Sequence, residues 1–216
     1  MNFWNKVYKQ NNHLSIWPWS QLISIINNHC YNIINNPKKK VLELGFGAGA
    51  NIPFFLKQKS SYYGIDSSII IVNRLKKKFK NLKNRLKCEN FRANYFKAHR
   101  FDLIFDRASL THNSKEDIIK ATDIIYKKLN KGGFFVGVDW YSSKCSDFKK
   151  NNKENYIKFK KGNFANIGGV YFSQKKDINF FFKNFKIIYM HENIIKILIG
   201  NKKTVLSSWS FVALKK

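Results

Sequence analysis

Behind one acidic residue, three glycines alternate along a short stretch, Glu43-Leu44-Gly45-Phe46-Gly47-Ala48-Gly49-Ala50. The apolar Val41, Leu42 and Leu44 read as a buried strand. Asn51-Ile52-Pro53 then opens a helix, because a first turn tolerates proline where its missing N–H had no partner. Glycine at such a turn takes backbone conformations that a Cβ forbids and lets the main chain lie against a ligand. The chemistry this permits is cofactor binding. Gly45-x-Gly47-x-x-Ala50 fits a dinucleotide fingerprint, and Asp66, at the end of Tyr62-Tyr63-Gly64-Ile65, stands where a carboxylate would hold a ribose diol. Further polar groups end two more apolar runs: Asp106, Arg107 and His112 after Phe101–Phe105, and Asp139, Trp140 and Tyr141 after Phe134–Val138. Open α/β sheets bind ligands beyond strand ends of this kind. His112 is the candidate general base, since neutral imidazole is available near pH 7. Asp106 and Asp139 are the candidate catalytic carboxylates beside it.

The fuller pattern Glu43-x-Gly45-x-Gly47-x-Gly49 resembles the class I S-adenosylmethionine-dependent methyltransferases. That resemblance implies an α/β, three-layer Rossmann-like fold with a seven-stranded, mostly parallel sheet in the order 3-2-1-4-5-7-6 and an antiparallel last strand. It implies S-adenosylmethionine as cofactor, its amino group oriented by Glu43. Gly45, Phe46, Gly47, Gly49 and Asn51 would contact it at the turn, and Asp66 and Ser67 after the second strand. Asn90 and Phe91 would follow after the third strand and Asp106 and Arg107 after the fourth. Asn90 stands where the family commonly has an acidic residue, and its amide oxygen can still accept a hydrogen bond. Glu89 is the alternative if the register is off by one. On the acceptor side the resemblance implies Arg107, His112, Trp140 and Tyr141, with Tyr8 and Trp17 from an N-terminal cover. The leader Tyr8 to Ser20 also resembles methyltransferases that accompany bacterial synthesis of sialic-acid-like nine-carbon sugars, which implies a surface-glycan precursor methylated on oxygen or nitrogen. No Asn-Pro-Pro-Tyr or Asp-Pro-Pro-Tyr tetrad follows the fourth strand, which lowers the reading as a nucleic-acid base methylase.

Length and charge set the bounds. The chain has 216 residues, enough for one well-cored domain and too few for a dehydrogenase with separate cofactor and catalytic domains. Residues 1–216 are therefore read as a single domain, with 1–36 a helical cover and 142–173 a substrate-side insertion. The formal charge is +27 and the pI near 10.0. Such a balance suits nucleic acid, but the lysines are spread along the chain, and its wealth of Asn, Ile, Phe and Tyr matches A/T-rich codons. A solvated basic surface is the simpler reading. A small-molecule acceptor, anionic or nucleotide-linked, leads; RNA is the second partner, and a non-catalytic cofactor-binding module the third reading. No apolar run approaches the roughly 20 residues that span a bilayer, and no signal-peptide core opens the chain. Cys30, Cys88 and Cys145 are widely spaced, which points to a reducing cytoplasm without disulfides or a metal site. Nothing in the pattern speaks to oligomeric state.

The elements that must position these groups follow from periodicity. A helix Gln21 to Ile34 is expected under a Ser20 cap, and a short helix Asn51 to Gln58 at the glycine turn. Ser67 or Ser68 caps a helix carrying Ile69, Val72, Leu75, Phe79 and Leu82 inward. A strand is expected at Arg85–Cys88. Ser114-Lys115-Glu116-Asp117 reads as a capping box opening a helix to Leu129, closed by Lys131-Gly132-Gly133 before a strand Phe134–Val138. Ser173 is expected to cap a helix Lys175–Lys183. Strands Phe185–Met190 and Ser207–Leu214 end the chain as an antiparallel pair joined at Gly200-Asn201-Lys202-Lys203.

Overall fold

The computed structural model describes residues 3–148, 154–162, 164–165, 167–200 and 202–216, with the main chain alone at Lys202. In chain order the helices are α1 (Phe3–Lys9), α2 (Ser20–Ile34), α3 (Ile52–Leu56), α4 (Ile69–Lys78), α5 (Lys115–Lys128) and α6 (Lys175–Phe181). The strands are β1 (Lys40–Leu44), β2 (Ser61–Asp66), β3 (Leu86–Cys88), β4 (Phe101–Arg107), β5 (Leu129–Tyr141), β6 (Tyr156–Lys158), β7 (Gly169–Tyr171), β8 (Lys186–Ile199) and β9 (Lys202–Leu214). Seven of them form one sheet in the order β3-β2-β1-β4-β5-β9-β8. The first five run parallel and β9 runs antiparallel to both its neighbours. With β6 and β7 set aside as a separate pair, this is the expected order.

The central parallel strands β1, β2 and β4 are buried on both faces, as parallel strands require. Successive side chains point to opposite sides. Val41, Leu103, Phe105 and Val136 meet α2, α3 and α4 through Leu22, Ile26, Phe55 and Val72. Leu42, Leu44, Ile104 and Phe135 meet α5 and α6 through Ile118, Ile125, Ile178 and Phe182. No helix among the described residues is long and apolar enough to cross a membrane.

Several local expectations are corrected. Ser20 is the first residue of α2; Trp19 holds the cap position and makes no side-chain cap bond. The helix at the glycine turn is the five-residue α3, shorter than expected. Ser68 does cap α4, accepting from the Ile71 N–H. That phase buries Ile71 and leaves Ile69 45% exposed. Ser114 accepts the Asp117 N–H as expected, but α5 ends at Lys128. Leu129 already pairs with Phe101, so Lys131-Gly132-Gly133 lies inside β5, at an irregularity opposite Phe101 to Leu103. Gln174 and Asp177, not Ser173, box the start of α6; Ser173 instead bridges to Ser142, and its carbonyl accepts from Trp209. The final strands are far longer than expected, because Ile194, Ile195, Ile197 and Leu198 continue the β-branched, pairing-competent run to Ile199↔Lys202. Asn201, in the expected turn, lies outside the described residues.

In the insertion, residues 149–153, 163 and 166 lie outside the description. The remainder folds back on the domain around Cys145, Phe164, Val170 and Phe172. Its aromatics thus make a small satellite core, with β6 paired to β7.

Phe182 joins the layers most tightly. Its ring lies 4.8 Å from Phe135, stacked, and 4.9 Å from Phe211, edge-on. Phe182→Ala is expected to cost about 3–5 kcal/mol by urea unfolding, the range for a fully buried aromatic; a loss under ~1 kcal/mol would mean that α6 is not packed as described.

Candidate functional site

The ends of β1, β2 and β4 are flush because Leu44 pairs with Ile65 on one side and Asp106 on the other. The glycine turn rises from that level. Gly45 has φ +66°, and a Cβ there would come within 2.4 Å of the Ser109 Cβ, so only glycine allows the turn to pass the end of β4. Gly47, at φ +51°, faces the Tyr8 hydroxyl. Gly49 turns toward Leu75 and Ile52, inside the domain, and takes no part in the cavity wall.

Two carboxylates meet under this turn. Glu43 is buried and accepts from Asn51 Nδ2 at 2.8 Å and from the Tyr62 hydroxyl. Asp66 accepts the Gly47 N–H at 3.0 Å on one oxygen and the Ser68 N–H at 2.9 Å on the other. Each oxygen keeps lone-pair capacity for a further donor. Among the described residues neither carboxylate has an ion-pair partner. Burial therefore dominates their titration, pushing Glu43 up to about 8 and Asp66 up to about 6.

These groups open into a cavity of about 300 Å³. Its floor is Glu43, Gly45, Phe46, Gly47, Asn51, Asp66 and Ser67, with Phe91 to one side. Its roof is α1. Trp4 and Tyr8 sit four residues apart, hence on one helix face, and both line the cavity. The Ser68 hydroxyl donates to Asn5 Oδ1 at 2.7 Å and Arg74 donates to Asn11 Oδ1 at 3.2 Å, which straps the leader onto α4. Asn51 Oδ1 also accepts the Trp19 N–H, tying the start of α2 to the turn.

His112 stands at the far end of the cavity, edge-on to Trp4 at 5.1 Å. Its Nδ1 lies 3.0 Å from the Gly169 carbonyl, so Nδ1–H is the donor and Nε2 carries the free lone pair. Burial pushes it down to about 4, and the ring is neutral at physiological pH. Arg107 and Tyr141 complete this end. Arg107 Nε donates to Asp139 Oδ2 at 2.8 Å, and its guanidinium lies 3.5 Å from the Trp19 ring centre.

Besides Gly49, five expected site residues do not reach the cavity. Asp106 is wholly buried and accepts from the Ser109 N–H, the Ser109 hydroxyl, the Leu110 N–H and Trp140 Nε1. It holds the turn after β4, and Trp140 is its core partner. The Asn90 oxygen is taken by the N–H and Nε of Arg92 in its own loop. Trp17 is 77% exposed and lines nothing. Asp139 faces an adjoining hollow. Conversely His13, Ser15, Trp19, Ser109 and Ile167, none of them expected at the site, join the wall. The spacing of Trp4 and Tyr8 on one helix was the available signal for the roof; Ile167 and Ser109 carried none.

The fit favours a cation. An uncompensated buried carboxylate is costly; an amino-acid ammonium beside Glu43 would offset one, and ribose hydroxyls would donate to Asp66. The sign of the pH effect follows. Glu43 holds its proton more tightly folded than unfolded, so its contribution is complete below about pH 4.5 and is lost as pH rises through about 8. His112 acts oppositely, but only between its unfolded value near 6.5 and about 4. Stability of the ligand-free protein, read from urea midpoints, should thus fall between pH 6.5 and 8. Glu43→Gln should flatten that decline, and an unchanged slope in the variant would contradict the assignment.

Residues 41–133, under half the chain, match a family model described as a methyltransferase domain. No curated protein matches the chain in sequence. Solved structures resemble its fold throughout. A methyltransferase from Anabaena variabilis aligns with a TM-score of 0.69 at 14% identity, covering 99% of this chain and 92% of that one. One from Methanosarcina mazei gives 0.65 at 15%, covering 92% and 98%. One from Clostridium acetobutylicum gives 0.60 at 17%, covering 99% and 96%. All three are titled S-adenosylmethionine-dependent methyltransferases. The domain match thus falls on the strands and glycine turn that build the cradle, and the chain shares its fold with these methyltransferases.

Proposed function

We propose that this chain methylates an oxygen or nitrogen of a small molecule, working in a reducing cytoplasm, with the acceptor entering where Arg107, Tyr141 and His112 border the cradle. The reading rests on one observation: two buried carboxylates without cations floor a cavity whose lining also includes Arg107, His112 and Tyr141. Bound there, the cofactor supplies an electrophilic methyl group on a sulfonium.

The residues then divide by what they do. Glu43, with Asn51 beside it, neutralises and orients the amino group, and Asp66 accepts from the ribose diol. Phe46, Ser67, Phe91 and the main chain of Gly45 and Gly47 hold the remainder. Trp4 and Tyr8 exclude water, which matters because alignment in a dry site carries most of the acceleration in such a transfer. Nε2 of His112 takes the acceptor's proton where the acceptor must lose one. The low value of His112 makes it a weak base, available without competition from its protonated form. Asp139 holds Arg107 in place; Asp106 and Trp140 support the wall from behind. The likeness of the leader to enzymes of sialic-acid-like sugar synthesis supports a surface-glycan precursor as acceptor.

A second reading, an RNA methyltransferase, is favoured by the charge of +27 alone. Incubation with methyl-labelled cofactor and fractionated extract separates them: label is expected in the low-mass fraction, and label confined to RNA, with binding that falls steeply with salt, would replace the first reading with the second. For the cradle, Asp66→Ala should weaken S-adenosylhomocysteine binding by roughly 10- to 100-fold in calorimetry, the worth of a charge-assisted hydrogen bond; an unchanged affinity would remove Asp66 from the site. His112→Asn should lower kcat by roughly 10²–10⁴ with little pH dependence of the wild-type rate between pH 5.5 and 8. A rate that rises through pH 6.5 would contradict a base with so low a value.

A further inference from the structure

Beyond the cradle a second hollow of about 430 Å³ opens between the end of β5, the middle of the β8–β9 pair and the insertion. The two share a wall made of His13, Trp19, Arg107, Tyr141 and Ile167. The far side of the hollow is apolar, formed by Phe164, Ile195 and Leu206. Its volume lies in the range of small-molecule sites.

The shared wall carries an unusual cation. Arg107 is fixed twice, by Asp139 at its Nε and by the Trp19 ring under its face. Its two Nη groups make no hydrogen bond to any described residue. A guanidinium held by its Nε and its face presents those donors as a rigid fork, the geometry that takes a carboxylate through two parallel bonds. The backbone on either side is bent to the same end. Ala108, next to Arg107, has φ +56°, and Asp139 has φ +57°. Left-handed conformations at residues other than glycine are costly and gather at functional sites. Here they lie at the ends of the adjacent strands β4 and β5 and frame the Arg107–Asp139 pair. The whole chain at +27 adds a field that draws anions toward such a mouth.

We propose that this hollow is the acceptor chamber and that it takes a small carboxylate-bearing molecule, its carboxylate on the free Nη edge of Arg107 and its less polar side against Trp19 and Leu206. The proposal rests on the cradle holding S-adenosylmethionine. A carboxylate anchored on the dividing wall leaves the rest of the acceptor free to reach toward His112 on the other side. Acidic sugars and aromatic acids both carry this chemistry, and Arg107 recognises the feature they share.

The test uses the full chain saturated with S-adenosylhomocysteine. Two matched pairs serve as probes in ligand-observed NMR titrations: N-acetylneuraminate against its methyl ester, and 4-hydroxyphenylacetate against its amide. At least one acid is expected to bind tenfold or more tightly than its neutral partner. Arg107→Gln should erase that preference. Leu206→Trp, which fills the chamber without touching the cradle, should weaken the acid tenfold while calorimetry finds S-adenosylhomocysteine binding as in the wild type. The pair that shows the preference tells whether the chamber suits a sugar or an aromatic acid. Equal binding of acids and neutral partners, no binding of either acid, or acid binding that survives both substitutions would overturn the proposal. If S-adenosylhomocysteine itself does not bind, the cradle reading fails instead, and the calorimetry separates the two failures.

Discussion

Two carboxylates buried side by side without a cation are the constraint on which the architecture turns. Glu43 and Asp66 come from adjacent parallel strands, and both end at the level where the glycine turn leaves the sheet. Neutral donors alone satisfy them: an amide, a phenol and two backbone N–H groups. Those donors lessen the burial cost without removing it, and the remaining cost appears as carboxyl groups that hold their protons to higher pH. A ligand with fixed positive charge relieves it.

The rest of the fold serves that floor. The parallel register brings three strand ends to one height, and the helices on both faces bury the bodies of β1, β2 and β4 beneath them. The leader then closes the opening. Its hold is polar and specific, through Asn5 on Ser68 and Asn11 on Arg74, while Trp4 and Tyr8 supply the apolar roof. The insertion closes the other end of the cavity. Its aromatics bury themselves in a satellite core against Tyr141, and the Gly169 carbonyl fixes the tautomer of His112. The cavity thus ends at a wall built from segments far apart in sequence.

The sequence made the sheet order and the cradle legible because both rest on strong local signals. Continuous apolar strands, glycines with no tolerable side chain and an acidic residue at the end of β2 leave few alternatives. The acceptor side was less legible, since it depends on directions of side chains that alternate along a strand. Trp140 and Tyr141 are neighbours, yet one enters the core and the other the cavity. Asp106 and Arg107 divide in the same way. Asn90 stood at the right turn, but the nearby Arg92 claimed its oxygen, a competition that no spacing rule reveals. The leader showed its aromatics plainly while concealing which would pack: Trp17 points to solvent and Trp19 lies under Arg107. Helix caps failed where two candidates stood side by side, as with Ser173 and Gln174.

A crystal structure of the S-adenosylhomocysteine complex tests the central claim most directly. The ligand's ammonium is expected within hydrogen-bond reach of the Glu43–Asn51 pair, its ribose hydroxyls on Asp66, and its sulfur facing the wall formed by Arg107, Tyr141 and His112. A ligand bound elsewhere, or one in the cavity with its ribose turned away from Asp66 and no charged group near Glu43, would contradict it.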